Sequence, residues 1–221
     1  MAAAAPSPLA SSVEKTNGAK LSRLLIDGGT TVLRKAFDRF HPPANLSSDL
    51  KSHYSTLKKI LNKHQWKKLF PPGGATPDSQ SFDITLLFLL LINICDLSPP
   101  LLGWHTNPCT SDTSLEANLA RIKFFRNVLY GHVSTAAVHI STFSNLWQEI
   151  TLPLIALGLD QAEIDRLKAE HGGEGDYMNA LFEWADSEKH IKSQLKEMAA
   201  GLKQVKEVVN SFKEQIGRAH V

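Results

Sequence analysis

The sequence predicts an all-α protein. Apolar residues recur at three- and four-residue spacings through most of the chain, and no stretch alternates apolar with polar residues as a half-buried strand would. Residues that cap helix starts (Ser, Thr, Asp) precede these stripes, and Pro-Pro, His-Pro or Gly-Gly sequences follow them. The 221 residues, 43% of them apolar, suffice for one well-cored domain with additional segments.

Residues 1–17 are rich in Ala, Ser and Pro and lack the apolar stretch of a signal peptide, so they read as disordered. A first helix is predicted from Lys20 to Phe40. Its apolar stripe is Leu21, Leu24, Leu25, Val32, Leu33, Ala36, Phe37 and Phe40, with a kink expected at Gly28-Gly29 and a stop at His41-Pro42-Pro43. A second starts at the natural caps Ser47 or Ser48 and runs to about Asn62. Tyr54, Leu57, Ile60 and Leu61 form its inner side, and Lys51, Lys58, Lys59 and Lys63 its outer side. Trp66, Leu69 and Phe70 make a short extra turn before Pro71-Pro72-Gly73-Gly74.

The third helix, Phe82 to Cys95, is apolar nearly all round, which marks a central helix surrounded by others. Its apolar run is far short of the roughly 20 residues that span a bilayer. A long loop follows to Ser111, in which Trp104 reads as an anchor. Asp112 or Thr113 then caps a fourth helix whose stripe is Leu115, Leu119, Ile122, Phe125, Val128 and Leu129, with Gly131 ending or distorting it. A fifth covers Ser141 to Leu157, with Phe143, Leu146, Trp147 and Ile150 inward and Pro153 kinking its end. A sixth, Asp160 to Glu170, is capped by Asp160, and His171-Gly172-Gly173 is a joint. These helices define a domain over residues 18–171.

The last segment changes period. Trp184, Glu188, Ile191, Leu195, Met198, Leu202, Val205, Val209 and Phe212 alternate four- and three-residue steps, with charges between them. That pattern predicts a coiled-coil helix over 174–215 that pairs with itself or with a partner helix. Residues 216–221 (Ile216 to Val221) read like translated sequencing-adapter sequence, so the heptads are expected to be cut short and the chain to be a fragment.

The formal charge is only +2, unevenly spread. Residues 1–70 carry 12 Lys/Arg against 4 Asp/Glu, and residues 71–160 carry 3 against 7. The basic part suits an acidic partner, RNA or an acidic protein face; the alternative is a solvated face on a helix pair. Two cysteines, Cys95 and Cys109, make neither a disulfide framework nor a zinc site. They fit a reducing, cytoplasmic setting. No metal-ligand spacing and no P-loop is present, so no cofactor is implied.

One heptapeptide carries chemistry, Arg126-Asn127-Val128-Leu129-Tyr130-Gly131-His132. Arginine clamps phosphate and histidine moves protons near neutral pH, the two tasks of metal-free RNA cleavage. The alternatives are structural: Arg126 as a cation favoured at a helix C-terminus, His132 as a capping group, Asn127 as a cap for loop carbonyls. Six residues at about 100° each rotate a helix by about 240°. Arg126 and His132 therefore cooperate only through a break at Gly131 or across a dimer.

The heptapeptide closes an ordered series: Asp83-Ile84-Thr85-Leu86-Leu87-Phe88-Leu89-Leu90 with Asn93-Ile94-Cys95; Pro99-Pro100 and Gly103-Trp104; Asp112-Thr113-Ser114; Arg121-Ile122-Lys123; Arg126-Asn127 and His132. Phe143, Trp147, Ile150 and Leu157-Gly158 continue it. The series resembles the HEPN domain in its DZIP-like subgroup, over about Lys20 to Glu170. The resemblance implies an up-and-down four-helix bundle with extra helices, and a homodimer through the bundle in addition to the coiled coil. It also implies a metal-independent ribonuclease site. Arg126 would hold the scissile phosphate, His132 would act as general acid or base, and Asn127 would orient the site. Tyr130, Lys123 and Arg121 stand beside them as candidate RNA contacts. Where the subgroup often has Arg before the Asn-Ile of the third helix, this chain has Ile92. With no zinc-ligand cluster, ubiquitin-ligase chemistry does not transfer. The competing function is a non-catalytic oligomerisation module of a larger immune-signalling-like protein.

Overall fold

The computed structural model describes residues 13–133 and 138–170, except for the side chains of residues 130–133. Every regular element among these residues is helical.

The first helix is a rod in two halves. α1 (Val13–Arg23) and α2 (Gly29–Phe40) are joined by a π-helical turn, Leu24–Gly28. α1 begins inside the segment expected to be disordered. The Gly28-Gly29 pair serves close approach: a Cβ on Gly29 would stand 2.7 Å from Ile84 Cδ1, and one on Gly28 3.0 Å from Leu159 and 3.2 Å from Leu154. The expected single second helix is instead two, α3 (Leu46–Ser52) and α4 (Tyr54–Ile60), divided at His53. The extra turn is a full helix, α5 (Lys63–Leu69). Its start is fixed by a reciprocal capping box: Gln65 N donates to Asn62 Oδ1 at 2.9 Å, and Asn62 N to Gln65 Oε1 at 3.1 Å.

α6 (Ile84–Ile94) starts at Asp83, whose carboxylate accepts from Leu86 N at 2.9 Å. Leu86 through Leu91 are all buried, so α6 is the central helix. Each such leucine contributes about 2 kcal/mol relative to an exposed one. α7 (Leu115–Val133) is capped by Ser114 rather than by Asp112 or Thr113; Ser114 Oγ accepts from Ala117 N at 3.1 Å and donates to Asp112 Oδ1 at 2.7 Å. It runs unbroken through Gly131, which does not end it. α8 (Ile140–Ala156) and α9 (Gln161–Ala169) follow, α9 capped by Asp160.

Contacts give the directions. Gly29 faces Ile84 at the start of α6, while His41, past the end of α2, meets the Ile94 carbonyl at the end of α6 (Nε2···O 3.2 Å). The rod and α6 therefore run parallel, with α3–α5 as the return between them. α7 is antiparallel to the rod: Ile122 lies beside Gly29, whereas Val138, beyond its end, donates its N–H to Glu14 O. α8 turns back, from Val138 at Glu14 to Leu154 at Gly28. One apolar core joins the rod, α6, α7 and α8. No helix among the described residues is long and apolar enough to cross a membrane. The predicted coiled coil and the segment after it lie outside the described residues.

Candidate functional site

The predicted site lies on the second half of α7, which packs against both α8 and the rod. Its stripe of Leu119, Ile122, Phe125 and Leu129 is buried in the core. Arg126 sits four residues after Ile122 and three before Leu129, so helical spacing places it on the same side. It is 1% exposed, the largest fully buried side chain among the described residues. Burial pulls its guanidinium down to about 10, which still leaves it charged at neutral pH. Asn127, the next residue, is exposed.

Two candidate RNA contacts, Lys123 and Arg121, are engaged within the protein. Lys123 is 7% exposed, with its ammonium 5.3 Å from the centre of the Phe88 ring, a cation–π contact inside the bundle. Arg121 is held by the preceding loop: its guanidinium donates to Asn118 Oδ1 at 2.9 Å and to the carbonyls of Cys109 and Asp112 at 2.6 Å each. Lys123 is withdrawn from solvent, while Arg121 is half-buried with its guanidinium committed to these bonds. Their positions show why, since Lys123 is four residues after buried Leu119 and Arg121 four after buried Ala117. The side chains of Tyr130 and His132 lie outside the described residues. Their backbone continues α7, so the break at Gly131 that would bring Arg126 and His132 together within one copy does not occur.

Sequence reasoning missed the polar clamps that build this framework. Asn118, buried, donates to the carbonyls of Thr113 and Ser114 and accepts from Arg121, tying the loop to α7. His41, also buried, bridges Asp49 Oδ2 at 3.1 Å and the Ile94 carbonyl, locking α2, α3 and α6 at one end. The signal for Asn118 was its place one residue before Leu119 in the first turn after a Ser cap; His41 gave none beyond its position before Pro42-Pro43. Trp104 anchors the loop as expected, its ring edge-on to Phe88 at 6.2 Å. The loop turns at Gly103, whose φ of +77° suits glycine and whose N–H donates to Pro100 O at 2.7 Å.

The cysteines divide by environment. Burial, with Asp96 nearby, pushes the Cys95 thiol up to about 12. Exposed Cys109 is held below its ordinary value, chiefly by hydrogen bonding with the Ser111 side chain. A separate groove of about 300 Å³ lies between the rod and α9, lined by Arg23, Asp27, Glu163, Arg166 and Glu170 among others; none of the α7 motif residues lines it.

A profile of the family described as DZIP3/hRUL138-like HEPN matches residues 43–176, more than half of the chain. The chain belongs to this HEPN family. Within the match fall α3 through α9, including the whole Arg126–His132 motif. Similar curated proteins are the E3 ubiquitin-protein ligase DZIP3 of Homo sapiens, 30% identical over 156 residues, and that of Mus musculus, 29% identical over 156 residues. Each alignment covers 67% of this chain and 13% of the relative, so the chain spans about an eighth of those proteins. No solved structure gives a significant match.

Proposed function

We propose that this HEPN module dimerises and associates with RNA, and that its metal-independent ribonuclease centre, Arg126 with Asn127 and His132, is completed between two copies. The supporting observation is the unbroken course of α7 through Gly131 and His132. With the two residues about 120° apart on one helix, a single copy cannot turn both toward one phosphate. A two-fold pairing across α7 supplies each from a different copy. In that arrangement His132 of one copy takes the proton from a ribose 2′-hydroxyl as its oxygen attacks the adjacent phosphorus. Arg126 of the other copy, charged and poorly hydrated, offsets the charge that develops on the phosphate oxygens. Exposed Asn127 hydrogen-bonds the substrate. The P–O5′ bond breaks, the leaving 5′-oxygen takes a proton from water, and protonated His132 returns its proton to the hydroxide so formed, giving a 2′,3′-cyclic phosphate and a 5′-hydroxyl.

The test is complementation. Arg126→Gln and His132→Ala chains are each expected to be inactive on single-stranded RNA. An equimolar mixture, re-equilibrated, recovers about one quarter of wild-type activity, because half the dimers are mixed and one of their two sites is intact. An active wild type with an inactive mixture sinks the shared site; a wild type that neither binds nor cleaves RNA sinks the RNA reading.

The burial of Arg126 and Lys123 favours a second reading, a non-catalytic interaction module of a larger signalling protein. It expects a dimer, measured by sedimentation, that survives both substitutions and shows no RNA affinity.

A further inference from the structure

The outer side of α4 and α5 carries a cluster that the α7 motif does not use. Tyr54, expected to face inward, is 46% exposed. Its ring meets Trp66 edge-on at 5.0 Å and Phe70 at 5.5 Å, while Trp66 and Phe70 lie 4.4 Å apart at 32°. Trp66 and Phe70 are themselves only half-buried. Large aromatic rings usually go into the core, so three at the surface in mutual contact form an apolar ledge open to solvent.

Lysines flank that ledge in register with it. Lys58 is four residues after Tyr54 on α4; on α5, Lys63 is three before Trp66 and Lys67 three before Phe70, so each shares a helix side with a ring. Lys58, Lys63 and Lys67 are all exposed. Residues 50–77 contain no Asp or Glu. Lys68 is taken by Asp83 at 2.8 Å, but no carboxylate among the described residues is paired with Lys58, Lys63 or Lys67. Lysines alone would suit any acidic partner. Between them exposed Tyr54 and half-buried Trp66 and Phe70, set at angles to one another, add aromatic faces, which bases use and carboxylates do not.

We infer that the face formed by Tyr54, Trp66 and Phe70 with Lys58, Lys63 and Lys67 is a stacking platform for single-stranded nucleic acid. Bases stack on the aromatic ledge and the lysines meet the phosphates on either side. The inference deepens the RNA reading above and rests on it for the ligand's class, but it occupies different elements from α7.

The test uses the full chain, fluorescein-labelled 12-nucleotide oligouridine and oligodeoxyuridine, and anisotropy over a salt series. Wild-type protein binds at least one strand, and the two strands together show whether the ribose hydroxyl matters. Tyr54→Ala, at an exposed ring, weakens binding by about tenfold, the loss of one stacked base. Lys58→Gln with Lys63→Gln lowers the slope of log affinity against log salt by about 1.4, two phosphate contacts on a single strand. Arg166→Gln, which removes an exposed cation on α9 outside both sites, leaves both readouts unchanged. Unaltered affinity in Tyr54→Ala and an unaltered slope in the lysine variant overturn the platform, as does a wild type that binds a glutamate-rich peptide and neither oligonucleotide. Loss of binding in Arg126→Gln but not in Tyr54→Ala moves the contact to α7. Loss of cleavage with platform binding intact sinks only the nuclease reading.

Discussion

α7 holds Arg121, Lys123 and Arg126, the α4–α5 pair holds five lysines, and the two regions dispose of their cations in opposite ways. On α7, Lys123 and Arg126 sit four residues after Leu119 and Ile122, both fully buried, and are drawn inward with them, while Arg121, four after Ala117, stays half-buried against the preceding loop. A helix of 19 residues with the rod on one side and α8 on another leaves little circumference for solvent. α4 and α5 have seven residues each and bury only Leu57, and only Gln65 and Leu69, respectively. Most of their circumference is free, so the lysines and much of the aromatic cluster stay in water. The difference teaches that a cation's use is set by its register with the apolar stripe and by how enclosed its helix is. A desolvated guanidinium acts strongly on whatever reaches it, because little water screens it. An exposed lysine acts weakly and at longer range, in a way that salt abolishes.

The largest expected effect sharpens that contrast directly. Arg126→Ala removes a side chain that fills core volume, and urea unfolding should show a loss of about 2–4 kcal/mol. Lys63→Gln should leave the unfolding midpoint where it is. Equal, negligible effects in the two variants would mean that Arg126 spends its time outside the bundle, and the comparison would collapse. Next in size is Arg121→Ala. Its guanidinium spans two loop carbonyls and Asn118, and losing those bonds should cost about 1–2 kcal/mol. The variant should also label more slowly with iodoacetamide at Cys109, because the loosened loop gives up the Ser111 hydrogen bond that holds this already exposed thiol below its ordinary value, while Cys95, buried and held as a thiol, stays unreactive. An unchanged labelling rate would show that the loop holds without Arg121.

Much of this architecture is legible in the residues. The extents of α6, α8 and α9 follow from stripe and cap, with Asp83 and Asp160 capping α6 and α9. The heptapeptide and the series before it place the chain in its family. Other features escape for physical reasons. Gly131 reads as a stop, yet a glycine inside a helix costs only about 1 kcal/mol, so it does not oblige a 19-residue helix to end. Gly28-Gly29 reads as weakness, but its purpose is the approach of Ile84 and Leu154, a contact between distant parts of the chain that no local pattern encodes. Arg126 is the instructive case. Its spacing from Ile122 and Leu129 marks it as inward, but its chemistry argues for a surface, and only the fold decides between spacing and chemistry.

The smallest effect tests the outward region. Asn62 caps α5 in the reciprocal pair with Gln65, which is itself buried, so the start of α5 is held by two hydrogen bonds and little else. Asn62→Ala leaves the N–H groups of the first turn to water and should cost about 1 kcal/mol. In a helix of seven residues that loss frays the end carrying Lys63, not the end carrying Phe70. Hydrogen exchange should therefore quicken at the first turn of α5 and stay unchanged in α7. If exchange instead quickens in α7, the two regions are coupled through the core. The outward face would then be an extension of the inward one rather than its opposite.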